Sequence, residues 1–190
     1  MAEAQDLLRE AIRREGEGYR RLLEGRPAEA TGPLREASDL YRRSWEAAPP
    51  SAIGRLIGTL KTALIAGEGE DEAAAYVREA VREEPESQAS AYAVALAALV
   101  QGDEELAARY AELMGAGSDA FGRTGRAIAA LAAGDRDAYG RALRAIVEDF
   151  ERRSEHLTGV PIADTALALE RVAERRGIAV HLRSPVLPAA

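Results

Sequence analysis

A spacing that recurs along this chain commits it to helices. Ala37, Tyr41, Ser44 and Pro49 stand at offsets 0, 4, 7 and 12, and Ala73, Val77, Ala80 and Pro85 repeat all four. Ala107, Ala111 and Met114 keep the first three offsets, as do Ala138, Ala142 and Ala145. Successive units begin 36, 34 and 31 residues apart. Positions four and seven apart share one face of an α-helix. Small residues on that face let two helices approach closely, and larger ones fill the groove against the next pair. A helical unit repeated at this period buries its apolar face by stacking on its neighbours.

The rest of the chain agrees with helices. Alanine, leucine, arginine and glutamate dominate, while the β-branched and aromatic residues of strands are sparse. Leu8, Ile12, Tyr19 and Leu23 form an apolar stripe on a first helix, roughly Ala2 to Glu24, with Gly16 and Gly18 loosening its middle. Gly25-Arg26-Pro27 breaks the chain. A second helix runs to about Ala48, with Gly32-Pro33 kinking it or marking its start, and Pro49-Pro50 ends it. Ser51 is the expected N-cap of a third helix ending at Ala66. Further helices are expected over Asp71 to Glu84, Ser87 to Val100, Glu104 to Met114, Asp119 to Ala133 and Arg136 to about Glu155. Pro161 opens a ninth that ends at Arg176, with Gly177 as its C-cap glycine. Ile178 to Ala190 reads as an extended tail, in which Ile178, Val180, Leu182 and Leu187 pack on the last repeat.

The repeated small residues, the closing prolines at 49 and 85 and the period near 34 resemble the tetratricopeptide repeat. The resemblance covers about residues 2–155. The chain lacks the family's tryptophan and Leu-Gly pair in the first helix of each unit, so the repeats are degenerate. It implies an all-α fold of about nine helices: antiparallel hairpins stacked as a right-handed superhelix over residues 1–155, then a capping helix and extended tail over 156–190, in one domain. It also implies a non-enzymatic interaction module that presents a concave surface to a protein or peptide. Arg55, Lys61, Tyr92 and Arg126, on the first helices of their hairpins, are the expected groove residues. A second resemblance is confined to the C-terminal segment. The Leu-Ala-rich helix, glycine turn and Ser184-Pro-Val-Leu-Pro tail are similar to the endings of some all-helical bacterial toxin-immunity proteins, which implies neutralisation of a toxin.

Charge narrows the partners. The formal net charge of −7 leaves no phosphate-binding surplus, so nucleic acid is not an expected partner; it suits a basic protein instead. The longest apolar run, Ala89 to Val100, is too short to cross a bilayer. The acidic start at Met1-Ala-Glu lacks the basic and apolar regions of a signal peptide. With no cysteine for disulfides, the expectation is a cytoplasmic protein. Lys61 is the only lysine among 25 basic residues and asparagine is absent, which reads as the codon bias of a high-GC prokaryotic genome. A homodimer would follow if a terminal helix left an apolar face uncovered.

No catalytic, cofactor or metal set emerges from the residues. Gly117 to Thr124 has the spacing of a phosphate-binding loop, but arginine replaces the lysine, no strand precedes it and Asp119 repels phosphate. It reads as a turn with Ser118 or Asp119 as N-cap. A nucleotide or small-molecule binder is therefore the third expectation. His156 and His181 lack metal-ligand spacing, and the acidic run Glu68 to Glu72 lacks that of a calcium loop. The pairs Arg20-Arg21, Arg42-Arg43, Arg152-Arg153 and Arg175-Arg176 read either as solvated faces paired with glutamate or as clamps for a carboxylate-bearing peptide. Trp45 and Tyr41, four apart, read as core or as an aromatic shelf.

Overall fold

The computed structural model describes residues 2–82, 86–115 and 119–189. Pro85 of the second repeat, and Gly117 and Ser118 of the loop-like motif, lie outside the described residues. Among those residues the chain is all-helical and has no strand. Its helices are α1 (Ala2–Leu23), α2 (Pro27–Glu46), α3 (Gly54–Ala66), α4 (Glu70–Val81), α5 (Gln88–Val100), α6 (Glu104–Leu113), α7 (Ala120–Ala133), α8 (Arg136–Glu151) and α9 (Asp164–Arg175).

Four boundaries differ from expectation, each with an identifiable contact or conformation behind it. Ser51 does not cap α3, because the chain turns through residues 49–53, where Ala52 N donates to Pro49 O, and the helix starts at Gly54 with Arg55 N donating to Ala52 O. Helix α4 stops at Val81, where Arg82 takes a left-handed conformation with φ of 53°. Helix α8 ends at Glu151, and Arg153 folds back over the Phe150 ring at 3.8 Å. Pro161 lies outside α9, because Ala163 N donates to Val186 O of the tail, and the helix starts one residue later. Other signals hold as read. Asp119 caps α7 by accepting from Gly122 N and Gly177 has the positive φ of a helix-ending glycine, while Ser87, expected as the first residue of α5, is its N-cap and accepts from Ser90 N. Helix α2 continues through Pro33.

Each helix from α1 to α8 packs against its sequence neighbours. Helix α3 also touches α5, α5 touches α7, and α9 lies against α3, α7 and α8. Helix α5 is the middle of the molecule. No charged residue falls between Glu86 and Asp103, and Ser90 to Val100 are all buried. A helix that is apolar on every side needs neighbours on every side.

Helix α9 is held at both ends by charge. Asp164 at its start pairs with Lys61 of α3. Beyond its end, Arg176 donates to Leu99 O at 3.0 Å, to Leu131 O at 3.4 Å and to Glu104 at 3.0 Å. Those carbonyls belong to the last turns of α5 and α7, where a cation meets the negative ends of two helix dipoles. Between the ends, Ala166, Ala168, Leu169, Val172 and Ala173 are buried. Ile178, Val180, Leu182 and Leu187 of the tail pack on the core as read. Glu170 fixes the tail's start, accepting from Tyr139 OH at 2.8 Å and from His181 N at 2.8 Å.

Candidate functional site

Polar groups gather where α9 begins. Glu15 of α1 stands on that helix's apolar stripe and is 2% exposed. Both its oxygens accept from tyrosines: Tyr19 OH donates to Oε1 and Tyr41 OH to Oε2, each at 2.7 Å. Tyr41 reaches across from α2 because Gly58 of α3 leaves room for its ring. A Cβ at residue 58 would lie 2.9 Å from the ring carbons. Lys61, one turn further along α3, donates to Asp164 Oδ2, and Asp164 Oδ1 accepts from Thr165 N at 2.6 Å. The Lys61 and Asp164 side chains are 14% and 18% exposed.

The electrostatics follow from this crowding. Burial pushes the Glu15 carboxyl above its ordinary value; the Lys61 ammonium opposes the rise and Asp164 adds to it. Burial pulls the Lys61 ammonium down, but Asp164, Tyr92 and Glu15 together reverse this and hold it charged, above the usual lysine range. Burial likewise pushes Tyr92 upward, with Lys61 acting against it. The Tyr92 hydroxyl is buried with no hydrogen-bond partner. Thr165 is near enough to bear on its ionisation, but does not meet it at ordinary hydrogen-bond geometry.

A pocket of about 290 Å³ opens onto this cluster. Glu15, Tyr19, Lys61, Tyr92, Asp164 and Thr165 line its inner end. Phe121 and Thr124 of α7 and Ile146 and Phe150 of α8 line its sides, and the 152–163 loop covers it. Gly16 lets that loop approach α1, since a Cβ there would lie 3.2 Å from Thr158 O. Leu157, on the loop, is 74% exposed at the pocket's edge. Two arginines at the rim share one carboxylate: Arg123 meets Asp149 Oδ1 at 2.7 Å and Arg153 meets Oδ2 at 2.6 Å. Burial works upward on Asp149, but Arg153 and then Arg123 outweigh it and hold the carboxyl below its ordinary value. His156 lies beside Phe150, ring centroids 6.2 Å apart.

Two of the four residues expected to line a groove, Lys61 and Tyr92, meet at this pocket. The other two do not line it. Arg55 is buried and donates to Ser44 O at 3.2 Å, tying α3 to α2, while Arg126 is exposed on α7. Trp45 and Tyr41 both pack in apolar clusters. Two of the arginine pairs include members paired with acids: half-buried Arg42 with Glu46 and Glu72, and exposed Arg175 with Glu70 and Asp71. Sequence reasoning missed Glu15, Tyr19 and Asp164. The signal for Glu15 was present, an acid spaced three residues from Ile12 and four from Tyr19 on an apolar stripe. Asp164 shows no such signal, because an acid at a helix start is ordinary.

Among the described residues no group of three or more potential ligands could hold a metal ion. No described helix is long and apolar enough to cross a membrane. Comparison of the chain with protein-family models, curated proteins and solved structures returns no match.

Proposed function

We propose that this protein is a non-enzymatic binding module of tetratricopeptide-like build, which holds a small organic molecule in the pocket beneath the 152–163 loop. Turns of two or three residues join α1 to α2, α3 to α4, α5 to α6 and α7 to α8, and each pair packs together. So short a connection between touching helices supports antiparallel hairpins. Contacts from α3 to α5 and from α5 to α7 support stacking with these helices on one side. A peptide groove on that side would need it open. Instead α9 lies against α3 and α7, and Lys61 and Tyr92 face a pocket too small for a long peptide.

The observation that carries the proposal is the unpartnered Tyr92 hydroxyl in a residue lining this pocket. A buried hydroxyl without a partner costs about 1–3 kcal/mol, and a bound molecule that supplies one recovers that loss. A binding role fits the site better than catalysis. Lys61, held as ammonium by Asp164, has no lone pair for nucleophilic attack.

A thermal-shift screen of small metabolites tests the proposal, with Ala120→Trp as the blocked variant. Ala120 is exposed and lines the pocket, so a large ring there obstructs entry without disturbing the core. A ligand at about 100 times its Kd adds about 2.7 kcal/mol, which raises Tm by about 5–10 °C in a chain of this length. The expected hit shifts the wild type and not Ala120→Trp. If every hit shifts both proteins equally, the pocket is not the binding site.

A further inference from the structure

We propose that the pocket selects an uncharged molecule bearing a carbonyl or hydroxyl oxygen on a short apolar body, with the oxygen accepting from Lys61 Nζ and Tyr92 OH. The inference rests on the reading of the pocket as a ligand site and names the ligand's chemical class.

The donors come first. An ammonium carries three N–H groups, and Lys61 makes one hydrogen bond among the described residues, to Asp164. Tyr92 OH makes none. Both residues line the same pocket: Lys61 is bonded to Asp164, and Thr165, the next residue of α9, lies near the Tyr92 hydroxyl. The acceptors there are already engaged: Glu15 by two tyrosines, and Asp164 by Lys61 and Thr165. The inner end therefore offers unused donors and calls for an acceptor.

Charge then decides which acceptor. The one ammonium already faces two acids, Asp164 and Glu15. A ligand carboxylate would make a third acid around it. A ligand ammonium would set a second cation beside Lys61. At the rim, Arg123 and Arg153 both close on Asp149. Each of the lining cations Lys61, Arg123 and Arg153 already has a carboxylate partner, and the lining acid Glu155 is exposed to water, so a charged ligand would lose its hydration at the buried end without gaining a matched partner there. An uncharged oxygen satisfies the donors without disturbing that balance. Phe121, Ile146 and Phe150 supply apolar walls for the remainder of the molecule. The volume of about 290 Å³ far exceeds the roughly 10–15 Å³ that a single water needs.

Hexanamide, hexanoate and hexylammonium share an apolar body and differ in the head group. Titration calorimetry of all three at neutral pH, on the full chain, tests the class. Hexanamide is expected to bind with a Kd about tenfold or more below that of either charged probe. Tyr92→Phe removes the hydroxyl and keeps the ring. It is expected to weaken hexanamide about 3–10-fold, the value of one net hydrogen bond, with no loss of thermal stability. Lys61→Met should weaken binding further; Tyr92→Phe decides the matter should that variant fold poorly. If hexanoate or hexylammonium equals or beats the amide, and Ala120→Trp abolishes that binding, the pocket takes ligands but the class is wrong. The class also falls if no probe binds while a metabolite from the thermal screen does so in an Ala120-dependent way. If neither the probes nor the screen yields binding that Ala120→Trp blocks, the pocket itself is not a ligand site.

Discussion

Lys61→Met should be among the most damaging single substitutions in the protein, and the reason is the company Lys61 keeps. Its ammonium is the counter-ion for Asp164 and lies near Glu15, a carboxyl that is 2% exposed. Methionine preserves most of the side-chain volume and removes the charge. Removing one partner of a fully buried ion pair costs about 3–5 kcal/mol, since the other charge is left uncompensated. Lys61 and Asp164 retain 14% and 18% of their exposure, so water takes up part of that loss, and about 2–4 kcal/mol is the working figure. At about 2–4 °C per kcal/mol, Tm should fall by about 5–15 °C. Urea denaturation provides the free energy directly. Asp164→Asn in the same background should recover about 1–3 kcal/mol, because the orphaned charge is removed with its partner. The sign of the pH dependence follows from the raised Lys61 value. Its stabilisation is fully present below the unfolded lysine pKa of about 10.4 and is lost as pH rises through the folded value. The gap between wild type and Lys61→Met should therefore narrow in strong alkali, and because Lys61 also holds Glu15 down, it should widen as pH climbs above about 4.3. A loss under about 1 kcal/mol, or effects of the two substitutions that simply add, would refute the reasoning.

Other consequences are open to measurement. Tyr41→Phe removes a 2.7 Å hydrogen bond to the buried Glu15 carboxyl, and should cost about 1.5–3 kcal/mol in urea unfolding. Because burial raises Glu15, the folded state holds a proton that the unfolded chain has lost at pH values between the two pKa values. Glu15's contribution therefore declines as pH climbs from about 4.3 towards the folded value, and Tyr41→Phe should steepen that decline. Two glycines inside helices should respond differently to alanine. Gly32 has open space beyond its chain neighbours, but the Pro33 ring crowds a helical Cβ just before it, so Gly32→Ala should change stability by less than about 1 kcal/mol. Gly58→Ala should destabilise by about 1–3 kcal/mol, because its methyl meets the Tyr41 ring at 2.9 Å.

The helices were legible in the sequence because their signals are local. Apolar periodicity, the Asp119 cap and the glycine turns act within a few residues, and the structure keeps them. The starts of α3 and α9 and the ends of α4 and α8 were misplaced where the deciding contact is a turn, a tail residue, a left-handed arginine or a side chain folded back on its own helix. Ala163, for example, is held out of α9 by Val186, 23 positions later. The site was legible only in part. Lys61 and Tyr92 stood out as residues of the hairpins' first helices, but as members of an open surface. Nothing local in the sequence shows that α9 lies against α3 and turns that surface into a pocket. Asp164, 103 positions from Lys61, supplies the missing charge.

The central claim is that the space between Lys61, Tyr92 and the 152–163 loop receives a small uncharged molecule. Amide NMR spectra of the ¹⁵N-labelled protein during a hexanamide titration test it most directly, because they report where the probe sits. The account predicts saturable shifts clustered at Lys61, Tyr92, Thr124 and Thr165, absent in Ala120→Trp, with the α2–α4 surface around Arg42 and Glu72 unmoved. Shifts spread over the exposed surface, or a spectrum unchanged at saturating probe, would contradict it.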